Sequence, residues 1–584
     1  MADDMHTLAP SKMPSSQRRH SITVVPTSCS GSSGSIPGNE LKLPLASNRP
    51  KRRQSIQESL HHITKSMSSS LQKAMNIGGS NTSLCSHDGG KSRLTKNFFK
   101  EILIAHYNQP DLKVTKFSLR HVPNPHTNQV LHEVELWIKD AKGRRRLDLM
   151  VKYPIHGLGL SAQRTPSEAT LDASHLMEKP ANGWVLDGTN NEMEHELRIY
   201  AQPVQDMWSY LYHTKGIASP DQFLCLPRRY KNVECESIND LAESDDHLLS
   251  SSDILVLQDL FAAGYHSASQ ERMDECGLDF NHSIMTISRL ARFHAVSYAM
   301  QGDLGRRMND HYPFLTEDPV YRDDTKEIFT KTQTSIATRL YSIFQHSSPD
   351  LKGFSHFFMD AVRNLHSIQR DMVNPNQEDS PFHVLCHGDL WRQNVLFYYG
   401  TSLECQTDCV DVRFEDLHRA RYASLVTDIL YFLFTTVDFE IRRDHTMDFL
   451  AVYYDHFVKS VAKLSPSLSI FTREELFVEF KSKMMYGFLE GICLFSTVYE
   501  SQIRKLEDEE REHPNLDEGS ISGLRPRYSD YKDAVVSMVG DVIRVRFQGE
   551  APPKSALPSS SSPSHPSSGQ DFRKSSTNGN GHHD

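Results

Sequence analysis

Between His387 and Asn394 the chain reads His-Gly-Asp-Leu-Trp-Arg-Gln-Asn. An acid follows a His by two residues, and an Asn follows that acid by five. A carboxylate held in such a loop can take the proton of an attacking hydroxyl. An amide oxygen beside it suits a hard divalent cation. In-line phosphoryl transfer needs both. Asp389 is the candidate base or hydroxyl-orienting group, Asn394 a metal ligand and His387 a brace for the loop backbone. Phe382, Val384 and Leu385 precede the loop, and Val395, Leu396 and Phe397 follow it. These flanks predict a buried strand, loop and strand. A His-Gly-Asp triplet alone would also fit a turn with a capping Asp; the flanks and the Asn set this one apart.

Further residues could complete the chemistry. The run Asp411-Val-Arg-Phe-Glu-Asp416 alternates Val412 and Phe414 with polar positions and ends in an acid. A carboxylate at a strand end can point into a cleft and bind Mg²⁺. Asp411 competes for that role; Asp416 is preferred because it lies 12 residues before Asp428, which opens the apolar run Ile429-Leu430-Tyr431-Phe432. A helix N-cap fits Asp428 at least as well as a functional role. Lys152 ends a strand-like run and could reach the α- and β-phosphates of ATP, with Glu196 on a following helix as its ion-pair partner. A lysine on a half-buried strand more often faces solvent, so the order Lys152, Glu196, Asp389, Asp416 carries the inference. The spacing of the loop is that of phosphotransferases with the protein-kinase fold. Gly388 where protein kinases have Arg suggests a small-molecule substrate. No glycine occurs in the turn from His121 to Gln129, where a phosphate-cradling loop would bring backbone close to the nucleotide.

Elements must hold these groups. An amphipathic segment is expected at Phe98–Ile104. Val130, His132, Val134, Leu136 and Ile138 share one strand face, and a second strand is expected over Arg144–Tyr153. A polar stretch from His156 to Asn191 looks inserted. A helix is expected over Met193–Tyr200 and a short strand over Ile254–Leu257. Helices should follow over Ser283–Met300, Asp428–Val437, Met447–Val461 and Glu474–Phe495, the last broken or loosened near Gly487 and Gly491. Strands first and helices later imply an α+β fold with two lobes: a β-rich N-lobe over 95–258, inserted near 156–191, and a helical C-lobe over 259–548. Residues 1–94 and 549–584 are Ser/Pro-rich and expected to be disordered.

At 584 residues, with only 38% hydrophobic, the chain fits two lobes with polar tails. The net charge of −10 divides into +7 over residues 1–94 and −17 over the rest. An acidic body argues against nucleic acid as a partner. Nine cysteines form no even framework, which fits reduced thiols and a cytoplasmic location. No apolar run reaches the length of a membrane span. Arg18-Arg19-His20-Ser21 and Arg52-Arg53-Gln54-Ser55 place two arginines before a serine, as a basophilic protein kinase would require of its target. A solvated basic tail explains them equally well.

Together these residues resemble the ecdysteroid-kinase-like family, also called CHK kinase-like, of arthropods and nematodes, related to choline kinases and aminoglycoside phosphotransferases. The resemblance spans roughly residues 95–500. The family signature His-Gly-Asp-x-Trp-x-x-Asn appears as His387, Gly388, Asp389, Trp391 and Asn394, so Trp391 also supports the loop. Asp416-Leu417-His418 stands for the family's Asp-Phe-Gln, and Arg421 to Asp428 continues as the family does. Leu290 to Ala295 matches a family helix. Val256-Leu257-Gln258-Asp259-Leu260 looks like its hinge, which implicates Gln258 and Leu260 in ATP binding. The resemblance implies a bilobal protein-kinase-like fold, ATP and Mg²⁺ as cofactors, and phosphorylation of a hydroxyl on a small acceptor such as an ecdysteroid. A catalytically inactive binding scaffold is the alternative, favoured by the glycine-free turn. A protein kinase is disfavoured by Gly388 and by the lack of an Ala-Pro-Glu segment after Asp416.

Overall fold

Val134, Leu136 and Ile138 alternate along one strand and meet Leu149 and Val151 of the next, and this apolar face organises the first lobe. The computed structural model describes residues 94–122, 129–154, 191–230, 254–268, 277–316, 320–322, 326–375, 380–400, 409–512 and 528–548. Helix α1 (Lys96–Tyr107) starts on Thr95, whose hydroxyl accepts from Phe98 N at 3.2 Å. It ends on Asn108 in the left-handed region. Strands β1 (Lys113–Val122), β2 (Gln129–Asp140), β3 (Gly143–Pro154) and β4 (Leu255–Gln258) form one antiparallel sheet in that order. Phe99, Ile102 and Leu103, spaced for one helix face, close the sheet's inner side. Burying each contributes about 1.5–3 kcal/mol.

Strand β1 was not anticipated. Only Val114 on it is buried, so the two-residue alternation is too weak to read. Charged residues suit an edge strand, where they discourage pairing with other chains. The candidate phosphosites Ser21 and Ser55, the inserted stretch, both tails and most of the glycine-free turn lie outside the described residues.

Helix α2 (Asn191–Ala201) and α3 (Pro203–Ser209) pack Met193, Ile199, Tyr200 and Met207 into a second, larger core. That core is mostly helical. Helix α4 (Phe280–Leu304) begins on Asp279, which accepts from His282 N at 2.9 Å, and lies along α9 (Phe439–Leu464). Between them in sequence come α5 (Lys326–Gln345), α6 (Ser355–Arg363), α7 (Leu365–Val373) and α8 (Val426–Thr435). Two small antiparallel units present the loops: β6 (His383–Cys386) with β9 (Arg421–Ser424), and β7 (Val395–Tyr399) between β5 (Tyr265–His266) and β8 (Cys409–Phe414). The architecture is α+β, with one core built on the four-stranded sheet and a larger, mostly helical one.

One expectation is corrected. The segment from 474 neither breaks nor loosens at its glycines. It divides at Lys483 into α10 (Arg473–Ser482) and α11 (Met484–Glu512). Gly487 and Gly491 are continuous helix, and they let α8 approach. A Cβ at Gly487 would meet Phe434 at 2.7 Å, and one at Gly491 would meet Met538 at 2.7 Å and the Phe434 carbonyl at 3.1 Å. A final helix, α12 (Tyr528–Val542), packs Tyr531, Val535, Met538, Val539 and Val542 into the same core.

Candidate active site

Strand β3 alternates, so Val151 points to the sheet core and Lys152 to the opposite face. Lys152 is nonetheless buried, and its ammonium lies 3.3 Å from the buried Glu196 carboxylate on α2. The pair forms across a separation of 44 residues. Lys152 also donates to Asp416 Oδ1. Burial opposes the Lys152 charge, but Asp416 and Glu196 outweigh it and hold the group well above the ordinary lysine range. Burial likewise works to raise Asp416, and Lys152 beside it brings the carboxyl below its usual value. Burial raises Glu196, with Lys152 pulling the other way.

The loop between β6 and β7 is pinned from below. Asp428 accepts from His387 N at 2.6 Å and Gly388 N at 2.9 Å. It sits in the first turn of α8 but caps the loop, not its own helix, whose N-terminal residue Leu425 makes no side-chain cap. Burial works to raise its carboxyl, and a hydrogen bond from His294 Nε2 at 3.1 Å holds it low. His387 Nε2 donates to the Glu415 carbonyl at 2.8 Å, while Nδ1 accepts from Asp389 N at 3.3 Å. Burial depresses its pKa, so the neutral ring fits both bonds. Trp391 is buried, and its backbone closes the turn by accepting from Asn394 N at 2.9 Å. Gly388 has φ +82°, and a Cβ there would stand 2.0 Å from the Arg419 carbonyl. Glycine at this position is therefore a demand of the backbone.

Asp389 and Asn394 meet directly. Asn394 Nδ2 donates to Asp389 O at 2.8 Å and to Oδ2 at 3.0 Å. This turns the Asn394 side-chain oxygen away from Asp389. Glu415 N donates to the Asn394 carbonyl at 3.0 Å, which ties the loop to the Asp416 segment. Asp416 is left-handed, φ +61°, and Leu417 N donates to Glu196 at 3.4 Å. An amide oxygen and an ionised, partly exposed carboxylate are the hard donors Mg²⁺ favours, so the residues fit that ion.

The structure separates the other candidates. Asp411 pairs with Arg289 at 2.8 Å and accepts from Tyr265 at 2.7 Å. Gln258 ends β4, and its side chain lines a polar cavity of about 180 Å³ with Asp221, Arg228, Tyr230, Tyr265 and Arg413. Leu260 is buried, and its carbonyl accepts from Tyr265 N at 2.9 Å. His294, Cys386 and Asp428 bring ligand atoms within 4.8 Å of one another. Each is already engaged: the Asp428–His294 bond is matched by Cys386 Sγ donating to the Ala423 carbonyl at 3.5 Å. Sequence reasoning missed Arg419 and Tyr431, which contact Asp389, and Glu490, which holds Arg419. For Tyr431 and Glu490 the signal was a polar group inside an apolar helical run, which demands a buried partner.

Residues 196–465 match the profile of the ecdysteroid kinase-like family. No curated protein sequence matches the chain. An ethanolamine kinase of Plasmodium vivax is 11% identical, with TM-score 0.31 over 74% of this chain and 84% of that one. An amicoumacin kinase in complex with AMP-PNP and Ca²⁺ is 9% identical, with TM-score 0.31 over 74% of this chain and 88% of that one. The loop signature around Asp389 and the Asp416 segment both fall inside the profile match, which spans just under half of the chain.

Proposed function

We propose that the protein is an ATP-dependent small-molecule kinase that transfers the γ-phosphoryl group to a hydroxyl of a small acceptor, an ecdysteroid or related sterol. One observation carries the reading: Asp389 and Asn394 share a hydrogen bond at 3.0 Å, with Asp416 held beside Lys152 and Glu196. A hydroxyl-orienting carboxylate, two ligands for a cation and a phosphate-binding lysine would then converge on one site. Lys152, fixed by Glu196, binds the phosphates. The hinge from Gln258 to Leu260 lies beside the nucleotide base. Asn394 and Asp416 hold Mg²⁺, which neutralises charge on the phosphates when bound. Asp389 orients the acceptor hydroxyl and takes its proton. Since the transition state is loose, the residues work chiefly by positioning.

Thermal unfolding of the full chain with ATP, with and without Mg²⁺, tests the nucleotide site. Saturation at about 100 times the dissociation constant adds roughly 2.7 kcal/mol. A Mg²⁺-dependent rise that disappears in Asp416→Ala is the expected result; no rise at millimolar ATP refutes the site. Asp389→Asn should then abolish transfer while keeping the ATP-induced rise.

A second reading is a non-catalytic scaffold. It is favoured by the direct Lys152–Asp416 ion pair, which engages the metal-binding carboxylate with the phosphate-binding lysine. ATP binding that ignores Mg²⁺, without transfer, would support it. Modification of Ser21 and Ser55 by an upstream protein kinase is proposed on sequence alone.

A further inference from the structure

Asp389 has a second set of neighbours that the transfer scheme leaves unused. Tyr431 donates its hydroxyl to Oδ1 at 2.5 Å, and Arg419 Nη1 reaches the same oxygen at 3.4 Å. Oδ2 takes Asn394 and has His418 Nε2 at 3.7 Å, on a side chain that is partly exposed. The two oxygens are therefore unlike: Oδ1 takes two buried donors, Tyr431 and Arg419, while Oδ2 takes Asn394 alone on the side of the partly exposed His418. Arg419 is anchored in turn. Its Nη2 donates to Glu490 Oε1 at 3.2 Å, and Tyr321 donates to that oxygen at 2.7 Å. Arg419, Tyr431 and Glu490 are all buried.

Two helices build this chain of contacts. Tyr431 lies on α8, and Glu490 lies on α11 between Gly487 and Gly491. The glycines remove the bulk that would hold the helices apart. Burying an Arg and a Glu in an apolar core is costly, and well-packed apolar residues in their place often stabilise a protein. A stability role therefore explains this network poorly, and its far end is the catalytic carboxylate.

We propose that Tyr431 and Arg419, anchored by Glu490, are positioning residues that fix the Asp389 carboxylate so that only Oδ2 is presented to the acceptor hydroxyl. This rests on the phosphoryl-transfer reading above. The acceptor oxygen bonds to the γ-phosphorus as the bond from phosphorus to the β,γ-bridging oxygen breaks, its electron pair leaving with ADP. The acceptor proton passes to Asp389 Oδ2 and from there to solvent. Tyr431 keeps its proton throughout, because burial and then the Asp389 charge push its hydroxyl well above the ordinary range. Without the Tyr431 bond the carboxylate torsion, which is broad for Asp, exchanges its two oxygens.

The test compares wild type, Tyr431→Phe, Glu490→Leu and Glu490→Gln as full chains. Phosphoryl transfer from MgATP to an ecdysteroid, and to water, is measured at steady state. Tyr431→Phe should lower kcat about 10- to 100-fold with the KM for MgATP within about twofold. Its Mg²⁺-dependent ATP thermal shift should match wild type. Glu490→Gln keeps an oxygen for Arg419 and Tyr321 and should recover most of the rate lost in Glu490→Leu. Should Glu490→Leu fail to fold, Tyr431→Phe and Glu490→Gln decide the matter, since both keep the shape of the site. A wild-type kcat in Tyr431→Phe overturns the proposal alone. A wild type that binds MgATP but transfers to neither acceptor overturns this proposal and the kinase reading together.

Discussion

Gly388 is constrained twice, by its left-handed backbone and by the Arg419 carbonyl that occupies the place of a Cβ. Gly388→Ala should cost at least about 2 kcal/mol from strain and clash, read as a lower unfolding midpoint, and should also suppress transfer, because Asp389 is the next residue. Two acids beside the loop respond to pH in opposite directions. Burial pushes the Glu415 carboxyl up to about 7 from its ordinary 4.5, with Lys152 opposing. Between those values the folded state holds a proton that the unfolded chain has lost, so stability falls as pH rises from 4.5 to 7. Glu415→Gln should flatten that slope and raise stability at pH 8 by on the order of 1–2 kcal/mol, measured by denaturant unfolding across pH. Asp428 behaves conversely. Its carboxyl is held low, so its contribution is complete above the ordinary aspartate value of 3.8 and is lost as pH falls below it. Asp428→Asn should remove that acid-side dependence.

At the scale of elements, α12 is held to α9 by a buried ion pair, Arg442 to Asp541 at 2.7 Å, as well as by apolar contact. Arg442→Ala strands the Asp541 charge, though the half-exposed Arg544 still reaches it at 2.8 Å. The loss should therefore be near the lower end of the range for broken buried pairs, about 3 kcal/mol, in calorimetric or denaturant unfolding. Much of the site was legible in sequence because it is local: His387 to Asn394 carries its own spacing, and Asp416 closes an alternating strand. Lys152 and Glu196 were legible by order, and the structure brings them to 3.3 Å. Tyr431 and Glu490 were not, because their meeting depends on how two helices pack, and no spacing along the chain records that. Gly487 and Gly491 were misread for the same reason: a glycine in a helix weakens it locally, yet here it admits a neighbour. Strand β1 escaped because an edge strand buries too little to alternate.

For the whole molecule, the family match at 196–465 is smaller than the folded unit. Lys152 lies before it, and Glu490 and all of α12 lie after it. Residues 196–465 expressed alone should show no cooperative unfolding transition, whereas 94–548 should; calorimetry of both fragments would decide. No helix among the described residues is long and apolar enough to cross a membrane. The late position of α12 bears on how the protein is made. Synthesis delivers Lys152, Glu196, Asp389 and Asp416 well before Tyr531 to Val542 can cover the apolar faces of α8 and α11. A message with a premature stop after α11 would thus encode all of the proposed site residues on a chain with an open core. Such a product would be cleared by chaperones and proteases, and would not persist as an enzyme of reduced rate.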